Sequence, residues 1–286
     1  MGIIFGLLAA VTYGASDFAG GLATRRASAI TVVAFSQCTG LLLLAAALPF
    51  AWGSGPSPEA LRWGGLAGLA GGTGVTLLYR GLAVGRMSVV APVTALLAAA
   101  LPVLIGLFTG ERPSTPAAAG VAVALVAIVL VSSAADAPVE GPAHARPRLL
   151  ARPGLLEAIG SGTGFGLFFA LLGQAGDTSP VWPLLATKAS SLALLLVLAM
   201  GRGSTLRPPP GTVRLMFTAG VLDIAANASF VLAARASLLS LASVLTSLYP
   251  ATTILCARLF LGERLAGLQR VGLALAAVGV VLITLG

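Results

Sequence analysis

Three charged side chains lie inside otherwise apolar stretches of this 286-residue chain: Asp17, Lys188 and Asp223. A charged group at the centre of a membrane helix costs about 2.5–3.5 kcal/mol to insert, so such groups face a partner or a polar interior. A carboxylate can bind an amine or carry a proton, whereas an ammonium can bind a carboxylate or a phosphate. A site that offers both would suit a zwitterion such as an amino acid.

Polar neighbours extend this candidate site. Tyr13 precedes Asp17 by four residues and Asn227 follows Asp223 by four, so in a helix each pair shares one face. Tyr79 and Tyr249 are two further polar aromatic residues within the apolar stretches. The predicted substrate-binding residues are therefore Tyr13, Asp17, Tyr79, Lys188, Asp223, Asn227 and Tyr249.

Structural roles remain open for the same charges. Asp17 lies near the end of its apolar stretch, within reach of Arg25 or Arg26 through interfacial water. Lys188 could pair with Asp223 or with Asp17 in an internal salt bridge that has no other role.

The elements that must position these residues are membrane helices. Hydrophobic residues make up 57% of the chain and charged residues only 9%, whereas a soluble domain carries about 25% charged residues. This composition excludes a water-soluble fold, and two cysteines exclude a disulfide scaffold. A helix needs roughly 20 apolar residues to cross the bilayer. Ten such runs are predicted, at 3–23, 30–52, 61–83, 88–109, 116–134, 155–175, 181–201, 212–234, 238–261 and 267–285.

An internal repeat organises these runs into two halves. A shift of 152 residues places Gly110-Glu111-Arg112 on Gly262-Glu263-Arg264 at equivalent helix junctions. Since each half has an odd number of spans, five, the second half must enter the membrane from the opposite side. Inverted repeats are typical of secondary transporters, whose substrate site lies near the midplane between the halves. The predicted units are the repeat 1–134, a polar connector 135–154 and the repeat 155–286.

Arginines report the orientation. Most lie in the connectors after the odd-numbered runs, and only Arg62, Arg112 and Arg235 lie on the other side. The positive-inside rule then places the 135–154 connector in the cytoplasm and both termini outside. We expect a multi-pass protein of the plasma or inner membrane.

Other motifs favour structural roles. GxxxG spacing at Gly64, Gly68 and Gly72, and at Gly160 and Gly164, indicates close helix packing. Prolines within a span free a backbone carbonyl and typically kink a helix, which makes them candidate gating points. The span prolines are Pro92, Pro102 and Pro250. Glu111 and Glu263 are expected to stabilise the tight turns at which they stand.

The complete pattern resembles the EamA-type family of the drug/metabolite transporter superfamily. The resemblance rests on the five-plus-five duplication, on the opening segment Leu8–Gly21 and on the closing signature of each half. That signature, at Ala98–Val131 and Pro250–Ile283, is a proline-containing helix, then Gly-Glu-Arg, then a glycine-bearing last helix. The first half departs from it, since Ala98 stands opposite Pro250. The resemblance implies an all-α integral membrane protein with ten transmembrane helices, as two inverted five-helix repeats around a central cavity, that exports amino acids and other metabolites.

These observations favour gradient-driven transport over catalysis. The one histidine, His144, lies in the connector, and neither nucleotide-binding nor hydrolase motifs occur. We therefore predict no enzyme, cofactor, metal or nucleic-acid partner. We expect a monomer in the bilayer that exports a small molecule, with protons exchanged at Asp17 or Asp223 or with the substrate gradient as the driving force. Efflux of cationic compounds or uptake by the same fold is the alternative, and a membrane enzyme or non-transporting scaffold is the alternative from another class.

Overall fold

A computed structural model describes residues 1–50, 55–84, 87–132, 154–176, 179–201, 206–262 and 265–286. Throughout these ranges the regular elements are helices, and no strand occurs. A short 3₁₀ turn, Leu48–Phe50, follows the second helix. The α-helices are α1 (Gly2–Thr24), α2 (Ala29–Ala47), α3 (Pro58–Val84), α4 (Met87–Phe108), α5 (Thr115–Ser132), α6 (Leu155–Gly173), α7 (Val181–Gly201), α8 (Val213–Ala236), α9 (Leu239–Thr246), α10 (Tyr249–Leu261) and α11 (Gly267–Leu285).

The helices correspond to the predicted spans. Eight segments are long and apolar enough to cross a membrane, with α9 and α10 counted together as Leu239–Leu261. A shorter apolar segment, Val93–Phe108, belongs to α4, and α3 runs for 27 residues. The expectation of an all-helical membrane protein with ten helices is confirmed. The predicted connector lies outside the described residues except for Gly154.

Helices from the two halves of the chain pack directly on each other. Helix α1 contacts α8, α2 contacts α7 and α8, and α3 contacts α6 and α7. Helix α4 packs between α6 and α9, while α5 pairs with α11. The apolar core at this interface contains Phe169, Leu184 and Phe230. The two repeats therefore form one interlocked bundle.

Glycines allow α3 to approach its neighbours closely. A Cβ at Gly64 or Gly68 would overlap the backbone of α7 at Pro183 or Thr187. On the other side of α3, a Cβ at Gly164 of α6 would lie 2.9 Å from the carbonyl oxygen of Ala70. The packing role predicted for the GxxxG series is confirmed.

Gly68→Ala is expected to lower the free energy of unfolding by about 1–3 kcal/mol, because the added methyl group must displace the Thr187 backbone. Gly65→Ala is the matched control, since a Cβ there meets nothing within 4 Å. Denaturation in mixed detergent micelles measures both variants. Equal losses in the two variants would contradict the packing argument.

The pair α5 and α11 is held in the same way. A Cβ at Gly120 would lie 2.8 Å from the Gly279 carbonyl oxygen, and one at Gly272 would lie 2.8 Å from the Val131 nitrogen. Val126 and Val278 on the outer faces are exposed. The last span of each half therefore presents apolar side chains on its outer face.

The ninth predicted span is interrupted. Helix α9 ends at Thr246, and α10 begins at Tyr249, directly before Pro250. Helix α4, by contrast, continues past Pro92 and Pro102 as one uninterrupted helix. Of the three prolines proposed as kink sites, only Pro250 therefore stands at an interruption.

Candidate substrate-binding site

An ion pair joins α7 to α8 at the centre of the candidate site. The ammonium Nζ of Lys188 donates a hydrogen bond to Oδ2 of Asp223. The Lys188 side chain is 2% exposed and that of Asp223 is 22% exposed. Of the two partners that the sequence allows for Lys188, the structure therefore selects Asp223 and not Asp17.

Asn227 completes this cluster from the next turn of α8. Its Nδ2 donates to Oδ1 of Asp223 at 3.2 Å and to the Asp223 carbonyl oxygen at 2.6 Å. The shared helix face predicted from the four-residue spacing is confirmed. Oδ1 of Asn227 is buried and has no hydrogen-bond partner in the described part of the chain.

Gly40 of α2 makes room for the lysine. A Cβ at this position would lie 3.3 Å from Cε and 3.5 Å from Cδ of Lys188. The aliphatic part of the lysine thus packs on bare backbone, while its charged end reaches Asp223. The sequence does not identify Gly40 as part of the site, because one glycine among 36 carries no local signal for a partner 148 residues away.

Aromatic rings form a second group. The rings of Tyr13 and Tyr249 have centroids 6.4 Å apart, and Tyr13 meets Phe169 edge-on at 6.1 Å. Phe169 continues to Phe168 at 5.2 Å and to Phe230 at 4.7 Å. The Tyr13 hydroxyl is buried without a hydrogen-bond partner among the described residues. Tyr13 and Tyr249 are thus brought together from α1 and α10, and the three phenylalanines were missed.

Asp17 lies beside both groups. It stands one helical turn after Tyr13, on the same face of α1. Its side chain is exposed, and it forms no hydrogen bond or ion pair within the described ranges. The preceding residue, Ser16, donates to the Ala219 carbonyl oxygen at 2.8 Å and so anchors this turn of α1 to α8. The backbone of Asp17 is therefore anchored to α8 through Ser16, while its carboxylate has no partner among the described residues.

Six of the seven predicted residues can be placed, and they occupy one region contributed by α1, α7, α8 and α10. The backbone of Tyr79 belongs to α3, but its side chain lies outside the described residues. Glu263 also lies outside them. The site thus contains one neutralised ion pair, one unpaired carboxylate and a set of aromatic faces.

Glu111 forms hydrogen bonds outside the turn in which it stands, with the start of α9. Its Oε1 accepts a hydrogen bond from the Leu239 N–H at 2.6 Å, and its Oε2 accepts one from the Ser240 N–H at 3.0 Å. The turn itself is closed by Arg112, which donates to the Leu107 and Glu111 carbonyl oxygens. A carboxylate from the first half therefore caps the N-terminus of α9 in the second half.

Glu111→Gln is expected to destabilise the protein by about 1–2 kcal/mol, because the helix N-terminus loses its negative charge and one of two acceptors. Thermal unfolding in detergent is the measurement. Glu59→Gln, at an exposed position in the first turn of α3, serves as the control. An unchanged melting temperature of Glu111→Gln would contradict the capping role.

The fold and the site define a polytopic helical membrane protein with polar groups held between its helices. The family model described as the EamA-like transporter family matches residues 1–133 and again residues 152–285. The chain therefore belongs to the EamA-like transporter family, with two copies of its unit, which is consistent with the drug/metabolite transporter superfamily. A structure described only as "Crystal structure of protein" is similar in fold, with a TM-score of 0.75, 20% identity and coverage of 99% of this chain and 96% of that one. No curated protein matches the sequence.

Proposed function

We propose that the protein is a secondary active transporter that exports small amine-bearing metabolites by alternating access, with the amine as the recognised group. One observation carries the proposal: the polar site is assembled from α1 of the first repeat and from α7, α8 and α10 of the second. In transporters built from inverted repeats, substrate binds between the repeats, and rocking of one against the other exposes it to each side in turn.

The charge balance of the site favours an amine as the recognised group. Lys188 and Asp223 neutralise each other, so Asp17 leaves the site with one net negative charge. A substrate ammonium can pair with Asp17 and lie against the faces of Tyr13 and Tyr249. A substrate carboxylate would have to displace Asp223 from Lys188. This observation supports efflux of cationic compounds as the second candidate function.

The remaining properties follow from the proposed transport cycle. We propose exchange against protons at Asp17 or Asp223, or else export down the substrate gradient, through a central cavity between inverted repeats. The protein would act as a monomer in the plasma or inner membrane with both termini outside. Family membership argues against an enzyme.

Transport into proteoliposomes tests the proposal. Phenylalanine and phenethylamine form a matched pair, since they share ring and amine and differ only in the carboxylate. We expect saturable uptake of the amine and weaker or absent uptake of the amino acid. Uptake of the amine should be faster when the vesicle interior is more acidic than the exterior, because protons then leave as the amine enters. If the amino acid were taken up as efficiently as the amine, the site would bind zwitterions and the amine preference would be wrong. Absence of saturable transport across amines, amino acids and organic cations would overturn the proposed function.

A further inference from the structure

The interruption between α9 and α10 leaves a backbone carbonyl oxygen without its helical hydrogen-bond donor inside a membrane span. Pro250 has no N–H, so the carbonyl oxygen of Thr246, four residues earlier, loses its α-helical donor. The Ser247 N–H bonds to the Ser243 carbonyl oxygen at 2.9 Å, and the next turn tightens, with Leu248 bonding to Leu245 at 3.2 Å. The break thus leaves the negative end of a half-helix within the bundle.

Four hydroxyls that lack hydrogen-bond partners are concentrated in this segment. Several hydroxyls of other spans donate to the carbonyl four residues earlier, as Thr12 does to Leu8, Ser229 to Ala225 and Thr284 to Val280. Helices α5, α6 and α7 each contain one unpartnered buried hydroxyl among the described residues, on Ser132, Ser161 and Ser191. The hydroxyls of α9 and its end make no such bond. They are at most 1% exposed, and none has a hydrogen-bond partner in the described part of the chain. They belong to Ser240, Ser243, Thr246 and Ser247.

The internal repeat shows that this combination is specific to the second half. Ala95 stands in the first half where Ser247 stands in the second, and Ala91 stands for Ser243. Ala98 stands for Pro250, and α4 is uninterrupted there. The helix break and the hydroxyls of Ser243 and Ser247 therefore occur together in the second repeat, whereas Ser240 and Thr246 have the counterparts Ser88 and Thr94 in the first.

Burying unpaired hydroxyls in an apolar interior is unfavourable by about 1–3 kcal/mol each, so a ligand for their oxygens is expected. Ser243, Thr246 and Ser247 lie on one helix face, three and four residues apart. With the freed Thr246 carbonyl they offer neutral oxygen ligands at a negative helix end, the arrangement by which broken helices coordinate Na⁺. A divalent ion would demand carboxylate ligands, which this set lacks.

We propose that a sodium ion binds at the break, held by the hydroxyls of Ser243, Thr246 and Ser247 and the carbonyl oxygen of Thr246. The ion would set the angle between α9 and α10. Tyr249, the first residue of α10, belongs to the substrate-binding region, where its ring lies 6.4 Å from that of Tyr13. Bound sodium would thereby position one wall of that region and couple its affinity to the sodium concentration.

Equilibrium binding of ²²Na⁺ to the purified full-length protein tests the site without any substrate. We expect saturable binding to the wild type and binding weaker by about tenfold or more in Ser243→Ala/Ser247→Ala, which lacks two of the ligands. Ser229→Ala is the matched control, because its hydroxyl is satisfied within its own helix, and it should bind like the wild type. Non-saturable binding to the wild type, or equal affinity of the double variant, would overturn the proposal.

Thermal unfolding in sodium chloride and in choline chloride separates loss of the site from loss of the fold. Wild type should melt at a higher temperature in sodium, since a ligand that binds the folded state stabilises it. The double variant should melt at the same temperature in both salts, as a folded protein. A wild-type melting temperature that is equal in the two salts would contradict the site. The binding test is independent of amine transport, so failure of one proposal leaves the other standing.

Discussion

Asp17→Asn should abolish concentrative transport of amines while leaving the protein folded. Asp17 has no hydrogen bond or ion pair within the described ranges, so its charge is available to a substrate ammonium. A substrate ammonium bound between the helices would desolvate this carboxylate. Loss of a charged partner in such a pair costs about 2–5 kcal/mol of binding free energy, which corresponds to about thirtyfold or more in affinity.

Two measurements on this variant separate function from fold. Amine binding and proton-driven uptake in proteoliposomes report function, and the melting temperature in detergent reports stability. Glu59→Gln removes an exposed carboxylate at the start of α3 and should leave both unchanged. If Asp17→Asn retained wild-type amine affinity and still responded to a pH gradient, Asp17 would have neither role.

Lys188→Ala is expected to give the largest loss of stability, about 3–5 kcal/mol, because it leaves the Asp223 carboxylate without its ionic partner in a mostly buried position. It also removes the aliphatic stem that packs on Gly40. The loss should appear as a shift in the denaturation midpoint of the purified protein.

The double variant Lys188→Met/Asp223→Leu tests whether charge is the cause. Replacing both members of a buried pair with apolar residues is often neutral or stabilising, so this variant should recover most of the stability. Arg80→Ala breaks the ion pair with Glu157, whose members are 3.3 Å apart, but the arginine side chain is 62% exposed. Its loss should stay within about 0.2–1 kcal/mol. A Lys188→Ala effect no larger than that of Arg80→Ala would contradict the buried-pair assignment.

Local patterns predicted most of the helices and part of the candidate site. Insertion cost singles out charges in apolar runs, and four-residue spacing by itself places Asp223 and Asn227 on one helix face. Glycine spacing likewise predicts the close contacts of α3, because a missing side chain has the same steric consequence in any tight helix pair. Such inferences hold wherever the cause lies within one or two helical turns.

Contacts between residues far apart in the sequence could not be predicted from those local patterns. Glu111 satisfies its own turn in the sequence-based interpretation, yet it caps a helix 128 residues away. Lys188 had two carboxylates within plausible reach, and Gly40 had no recognisable partner. Each of these contacts depends on which helix lies beside which, and many helix arrangements bury a similar apolar area.

By itself the sequence determined that this chain forms apolar helices in a duplicated arrangement, since hydrophobic length and repeat spacing depend only on the order of residues. Tertiary structure decided which charges neutralise each other: Lys188 pairs with Asp223, and Asp17 has no ion-pair partner among the described residues. The physical reason is that an ion pair requires contact within about 4 Å, whereas hydrophobicity acts along the whole span. That contact leaves one negative charge in the candidate site, and the charge favours an amine as the ligand.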